Sequence, residues 1–115
     1  PHKDIYKTAL GASDSVYWAY EERAELIVKK LQSEGVRVLA IEQAEASLPL
    51  SDFRVDKDEK YCFILGNEVR GVPQELVDGC DGIIEIPQEG TKHSLNIAVA
   101  TGVVLWDFYQ KFKML

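Results

Sequence analysis

Basic residues are scarce in this chain, and that limits what it can do by charge alone. Lys and Arg number 13 against 19 Asp and Glu, giving a formal net charge of −6. A surface that coats a nucleic acid needs clustered Lys and Arg, so that class is disfavoured. A local basic patch is not excluded: Lys3 and Lys7 lie near one end, and Arg70, Lys92 and His93 flank the motif loops. Cysteine is as sparse: Cys62 and Cys80 have no CxxC spacing and read as reduced core thiols of a cytoplasmic protein. Neither His2 nor His93 has a carboxylate or Cys at ligand spacing, so no metal is expected. No apolar run is long enough to span a bilayer, so no membrane is expected either. Repeats and low-complexity segments are absent.

What is present suits one domain over residues 1–115, with an ordinary apolar fraction of 46%. Residues 16–20 form a short β-like run of Val, Tyr and Trp. Residues 21–33 have helical spacing, with Ala24, Ile27, Val28 and Leu31 on one face, and Gly35 ends that helix. Residues 36–42 and 61–65 are continuous apolar strands of the kind a parallel sheet buries on both faces. The stretch 43–60 between them is polar, with Pro49 and several acids, and reads as a loop with one short turn. Pro73 opens a short helix through Val77, residues 83–86 form another strand, and 87–92 a loop. Ser94 can cap a last helix running to Phe112. Strand and helix alternate, so the class is α/β, a mainly parallel sheet flanked by helices. The last helix is apolar almost all round in its first turns, which asks for cover from a second subunit. A homodimer is therefore expected.

The chemistry is concentrated at strand ends. Gly66-Asn67-Glu68-Val69-Arg70-Gly71 follows a strand and precedes a helix. Glycines there permit positive φ and let backbone amides approach a ligand. A side chain added at Gly66 would then obstruct the ligand while sparing the fold. The string is neither a Walker loop nor a GxGxxG dinucleotide loop. Ser94-Leu95-Asn96 sits at a helix start, where one residue can both cap the helix and contact a ligand. A Ser–His–Asp hydrolase is discounted, because Ser94 directly follows His93 and adjacent side chains seldom face one another.

Together these strings resemble the SpoU (TrmH-like) RNA ribose 2′-O-methyltransferases. Phe63-Ile64-Leu65-Gly66-Asn67-Glu68-Val69-Arg70-Gly71 resembles their second signature. Ile86-Pro87 followed by Ser94-Leu95-Asn96-Ile97-Ala98-Val99-Ala100 resembles their third, and Lys7-Thr8-Ala9-Leu10-Gly11-Ala12 a segment upstream. The resemblance covers nearly the whole chain. It implies an α/β fold with a C-terminal trefoil knot, a homodimer, and methyl transfer from S-adenosylmethionine to a ribose 2′-hydroxyl of tRNA or rRNA. Carried over, Leu65, Gly66, Asn67, Gly71, Ile86, Pro87, Leu95 and Asn96 would hold the cofactor. Glu68, Ser94 and Asn96 would be the catalytic set, orienting the ribose. The family's first signature, an Asn followed by an Arg, lies upstream of Pro1, and neither Arg54 nor Arg70 matches it. The domain is thus expected to be N-terminally incomplete and the chain alone inactive. The alternatives are a non-catalytic cofactor- or RNA-binding dimer module and an unrelated flavodoxin-like nucleotide-binding domain.

Overall fold

The computed structural model describes residues 16–88 and 95–115. Its elements in chain order are helix α1 (Ala24–Ser33), strands β1 (Val36–Ile41) and β2 (Leu48–Pro49), a 3₁₀ turn (Leu50–Asp52), and strand β3 (Lys60–Leu65). Helix α2 (Gln74–Asp78), strand β4 (Gly82–Glu85) and helix α3 (Ile97–Lys113) complete it.

The centre of β1 is the most deeply buried segment, with Val38, Leu39 and Ala40 at 0–1% exposure. Its neighbours explain why. β3 and β4 both pair with β1 in parallel, β2 pairs with β4, and the sheet order is β2-β4-β1-β3. On one face, Leu39 and Ile84 pack against Val104 and Phe108 of α3 and against Leu50. On the other, Ala40 packs with Val72 and Val77. The alternating side chains of one strand therefore feed two cores. Parallel neighbours need crossovers. The chain passes from β3 to β4 through α2, whose Val77 packs with Ala40 of β1.

Phe108 is the hub of the larger core. Its ring stacks on Phe53 at 5.3 Å and meets Tyr61 and Phe63 edge-on at 5.4 and 4.6 Å. Lys111, one turn further along, donates to the Leu50 carbonyl at 2.6 Å and pairs with Asp107, fixing α3 to the 3₁₀ turn. At the sheet's other end, Asp81 accepts from the Val38 N–H at 2.7 Å and from Gln32 of α1 at 3.2 Å. Gly35 ends α1 at φ +85°, as its sequence position suggests.

The structure corrects several expectations. Residues 16–20 form no strand, and Tyr17 and Tyr20 are exposed. Of the expected face of α1 only Val28 is buried, with Leu31 half-buried, while Ala24 and Ile27 are exposed. The polar 43–60 stretch contains β2, a strand at the sheet's edge, where Pro49 is tolerated because no further neighbour needs its N–H. The helix cap is Asn96, whose Oδ1 accepts from the Ala98 N–H at 2.8 Å. Ser94 lies outside the described residues, as do His93 and Lys92. The α/β class with a parallel sheet stands. No helix among the described residues is long and apolar enough to cross a membrane.

Phe108→Ala should lower the unfolding free energy by about 3–5 kcal/mol, the usual cost of emptying an aromatic core site. Urea denaturation would measure it. A loss under 1 kcal/mol would show that α3 is not held by this cluster.

Candidate functional site

Parallel pairing aligns strand ends. Ile41 is in register with Leu65 on β3 and with Ile84 on β4. The segments that leave these strands therefore start side by side, at the carboxyl edge where α/β proteins bind ligands. A cleft of about 240 Å³ opens there. Its walls are Ile41, Glu42 and Gln43 after β1, Leu65 and the 66–71 loop after β3, Ile86 and Gln88 after β4, and Leu95, Ile97 and Ala100 at the start of α3.

The 66–71 loop is built from its own hydrogen bonds. Asn67 Oδ1 accepts from the N–H groups of Val69 and Arg70 at 2.9 and 2.7 Å. The Asn67 carbonyl accepts from the Gly71 N–H at 2.9 Å. The Val72 N–H goes to Glu42 Oε2 at 2.7 Å. Four consecutive amides, 69 to 72, are thus satisfied by two residues. The expectation that the loop's amides reach a ligand therefore fails for these four.

The glycines have separate reasons. Gly71 sits at φ +67°, and a Cβ there would lie 2.8 Å from a Glu42 carboxylate oxygen. At Gly66 a Cβ would lie 2.0 Å from the Gly71 carbonyl carbon, so the loop closes on itself with no room for a side chain. This corrects the expectation for Gly66. Its requirement comes from the loop's own backbone, before any ligand is considered.

Of the residues expected from sequence, Leu65, Gly66, Asn67, Glu68, Gly71, Ile86 and Leu95 all line the cleft. Pro87 and Asn96 are not among the lining residues, although each has lining residues on both sides in sequence. Asn96 is exposed and holds the first turn of α3 with its Oδ1, leaving Nδ2 as its donor. Glu42, Gln43 and Gln88 were not anticipated. Their signal was positional, since each lies shortly past the carboxyl end of a strand in the sheet.

The cleft holds two carboxylates, Glu42 and Glu68, and one cation, Arg70, among its described residues. The two thiols are elsewhere. Burial pushes Cys62 above its ordinary pKa; burial first, then the neighbouring Asp81 and Cys62, pushes Cys80 up too. Both stay protonated at neutral pH and offer no nucleophile. No group of His, Cys, Asp or Glu among the described residues could hold a metal ion.

Comparison with known proteins gives one consistent picture. The model of the SpoU rRNA Methylase family matches residues 1–106. A 23S rRNA (guanosine-2′-O-)-methyltransferase, RlmB, of Xanthomonas axonopodis is 34% identical over 104 residues, 90% of this chain and 40% of that protein. The chain therefore spans well under two thirds of such a relative. The A. aeolicus TrmH/SpoU tRNA modifying enzyme superposes with a TM-score of 0.83 at 25% identity, over 95% of this chain and 54% of that one. An AdoMet-bound rRNA methyltransferase from Sinorhizobium meliloti superposes at 0.66 and 31% identity, over 75% of this chain and 32% of that one.

Gly66→Ala should destabilise the fold by about 1–3 kcal/mol, because the added carbon meets backbone that cannot swing aside. Thermal unfolding without any ligand is the check. An unchanged midpoint would mean that the loop does not pack on itself as described.

Proposed function

The chain belongs to the SpoU rRNA methylase family, and we propose that its protein transfers a methyl group from S-adenosylmethionine to a ribose 2′-hydroxyl of tRNA or rRNA. One observation carries this reading. The segments that resemble the family's signatures, 66–71, Ile86 and Leu95, come together around a single cleft at the strand ends.

The cleft's residues fit the cofactor. Ile41, Leu65, Ile86 and Leu95 supply apolar walls beside backbone and a few polar groups, the composition of small-molecule pockets generally. Its volume lies a little below the about 300–1,000 Å³ of full ligand pockets, which suits a part of the cofactor such as its adenosine. Leu65, Gly66, Asn67, Gly71, Ile86, Pro87, Leu95 and Asn96 would hold it. When bound, S-adenosylmethionine supplies an electrophilic methyl on a sulfonium centre. Glu68, Ser94 and Asn96 would orient the ribose so that its 2′-oxygen is in line for attack. Asn96 can do so while capping α3, since capping uses only its Oδ1.

The finer architecture belongs to the same proposal. A trefoil knot in the C-terminal part is supported by the strand order, in which β4 is inserted between the earlier strands β1 and β2. A homodimer is supported by α3, which buries Ala100, Val104 and Phe108 and leaves Val99, Val103 and Trp106 exposed on another face. Trp106 alone is 64% exposed, an apolar surface that a second copy would cover. Reading residues 1–115 as one methyltransferase domain, in a cytoplasmic protein, completes the proposal.

Calorimetric titration of S-adenosylmethionine, with methyl transfer to bulk tRNA and rRNA, tests the reading in the full-length protein. Asn96→Ala should reduce transfer at least tenfold. Asn96→Ser, which can still cap the helix, should be equally impaired if the amide is needed for more than the cap. Intact binding and transfer in both variants would remove Asn96 from the site.

Val103→Asp separates interface from core. Val103 is 38% exposed in the single chain, so a carboxylate there costs the monomer little. Buried in a dimer it would be unpaired and expensive. Sedimentation should show monomers that remain folded, and a stable Val103→Asp dimer would refute this interface.

A further inference from the structure

We propose that Glu42 is a positioning residue of this site, latching the 66–72 loop to the strand ends from which the cleft is built. Its predicted effect on the cofactor rests on the methyltransferase reading above. The latch itself does not.

Glu42 joins segments from three strands. It directly follows β1, and its own N–H donates to the Ile84 carbonyl of β4 at 3.0 Å. That bond fixes its backbone at the junction of the two strands. Its side chain then crosses to the segment leaving β3, where Oε2 accepts from the Val72 N–H at 2.7 Å. The distance is in the short range typical of a charged acceptor.

The loop is shaped to receive this carboxylate. Both oxygens lie within 2.9 Å of where a Cβ on Gly71 would stand, so only glycine at 71 lets the side chain pass beneath the loop to Val72. Val72 is 6% exposed and packs with Ala40 and Val77. Its N–H is thus held away from solvent while the carboxylate is in place, and losing that acceptor is costly. The two anchors divide the work. Asn67 closes the turn on itself, and Glu42 ties that closed turn to the sheet.

The consequence for the site is direct. Glu68 and Arg70 ride on this loop, while Leu65 and Ile86 belong to the segments that Glu42 joins to it. Without the latch, the polar groups of the loop and the apolar walls opposite would no longer keep a fixed spacing. Small misplacements of this kind are expensive in catalysis.

A hydrogen-bond acceptor suffices for this role, and a negative charge is not needed, which makes the idea separable from a direct contact between Glu42 and a cationic ligand. In the full-length protein, E42A should raise the exchange rate of the Val72 amide roughly 10- to 100-fold, measured without any ligand. It should weaken S-adenosylmethionine binding and slow single-turnover methyl transfer by a similar factor. E42Q keeps an acceptor and should stay within about threefold of the wild type in all three measurements. Should E42A fail to fold, G71A decides, since its methyl group pushes the carboxylate away and should expose Val72 in the same manner.

Unchanged Val72 exchange in E42A or G71A would overturn the latch. So would an E42Q protein that protects Val72 normally yet loses cofactor affinity as fully as E42A, because the charge would then be acting on the ligand. A wild-type protein that binds no S-adenosylmethionine would sink the functional reading, with the Val72 exchange still deciding the latch on its own.

Discussion

Everything at the candidate site follows from β1 having parallel partners on both sides. With β3 and β4 aligned on it in the same direction, Ile41, Leu65 and Ile84 stand level, and three chain segments must leave the sheet at one edge. An antiparallel neighbour would have sent one of those segments to the opposite edge. The parallel arrangement in turn depends on burial of both faces of β1, because a parallel sheet survives only when covered. Val104 and Phe108 cover the Leu39 face, and Val72 and Val77 the Ala40 face. The core and the cleft are thus two results of the same register.

A second constraint acts inside the 66–72 segment, where the chain must turn sharply while the amides of residues 69 to 72 find acceptors. The solution is economical in residues. Asn67 takes three of the N–H groups and Glu42 the fourth. Gly66 and Gly71 are then needed because the backbone and a carboxylate occupy the space a Cβ would take. A loop so committed to itself arrives at the cleft already shaped. What it leaves for a ligand is side chains, carbonyl groups and the apolar wall at Leu65, while the amides from 69 to 72 are spent.

The sequence disclosed this site as strings and missed the bonds between strings. Gly66 to Gly71, Ile86 and Leu95 were legible because their spacing is local and their residue types unusual at strand ends. Glu42 was not, because its partner lies 30 positions away, and nothing in the local pattern distinguishes a latch from one more surface acid. Strands β1, β3 and β4 were legible from apolar runs. β2 was hidden, since two residues ending in proline carry no period and gain strand character only from the neighbour they meet. Residues 16–20 failed in the opposite sense: Val, Tyr and Trp favour a strand, but propensity without a partner strand makes none. The α3 cap moved from Ser94 to Asn96 for a similar reason, as both are good caps and only geometry chooses between them.

The acidity of the chain bears on how an RNA substrate could be held. Among the described cleft residues Arg70 is the one cation, set beside Glu42 and Glu68. A rim of that sign does not attract a polyanion, and phosphate contacts ordinarily dominate the affinity of nucleic-acid binding. The cleft therefore suits a group presented to it, such as a single ribose, better than it suits the RNA backbone. Affinity for an RNA would then have to come from groups other than these described cleft residues. Precision would come from within the cleft, through residues whose positions the parallel sheet and its loop already fix.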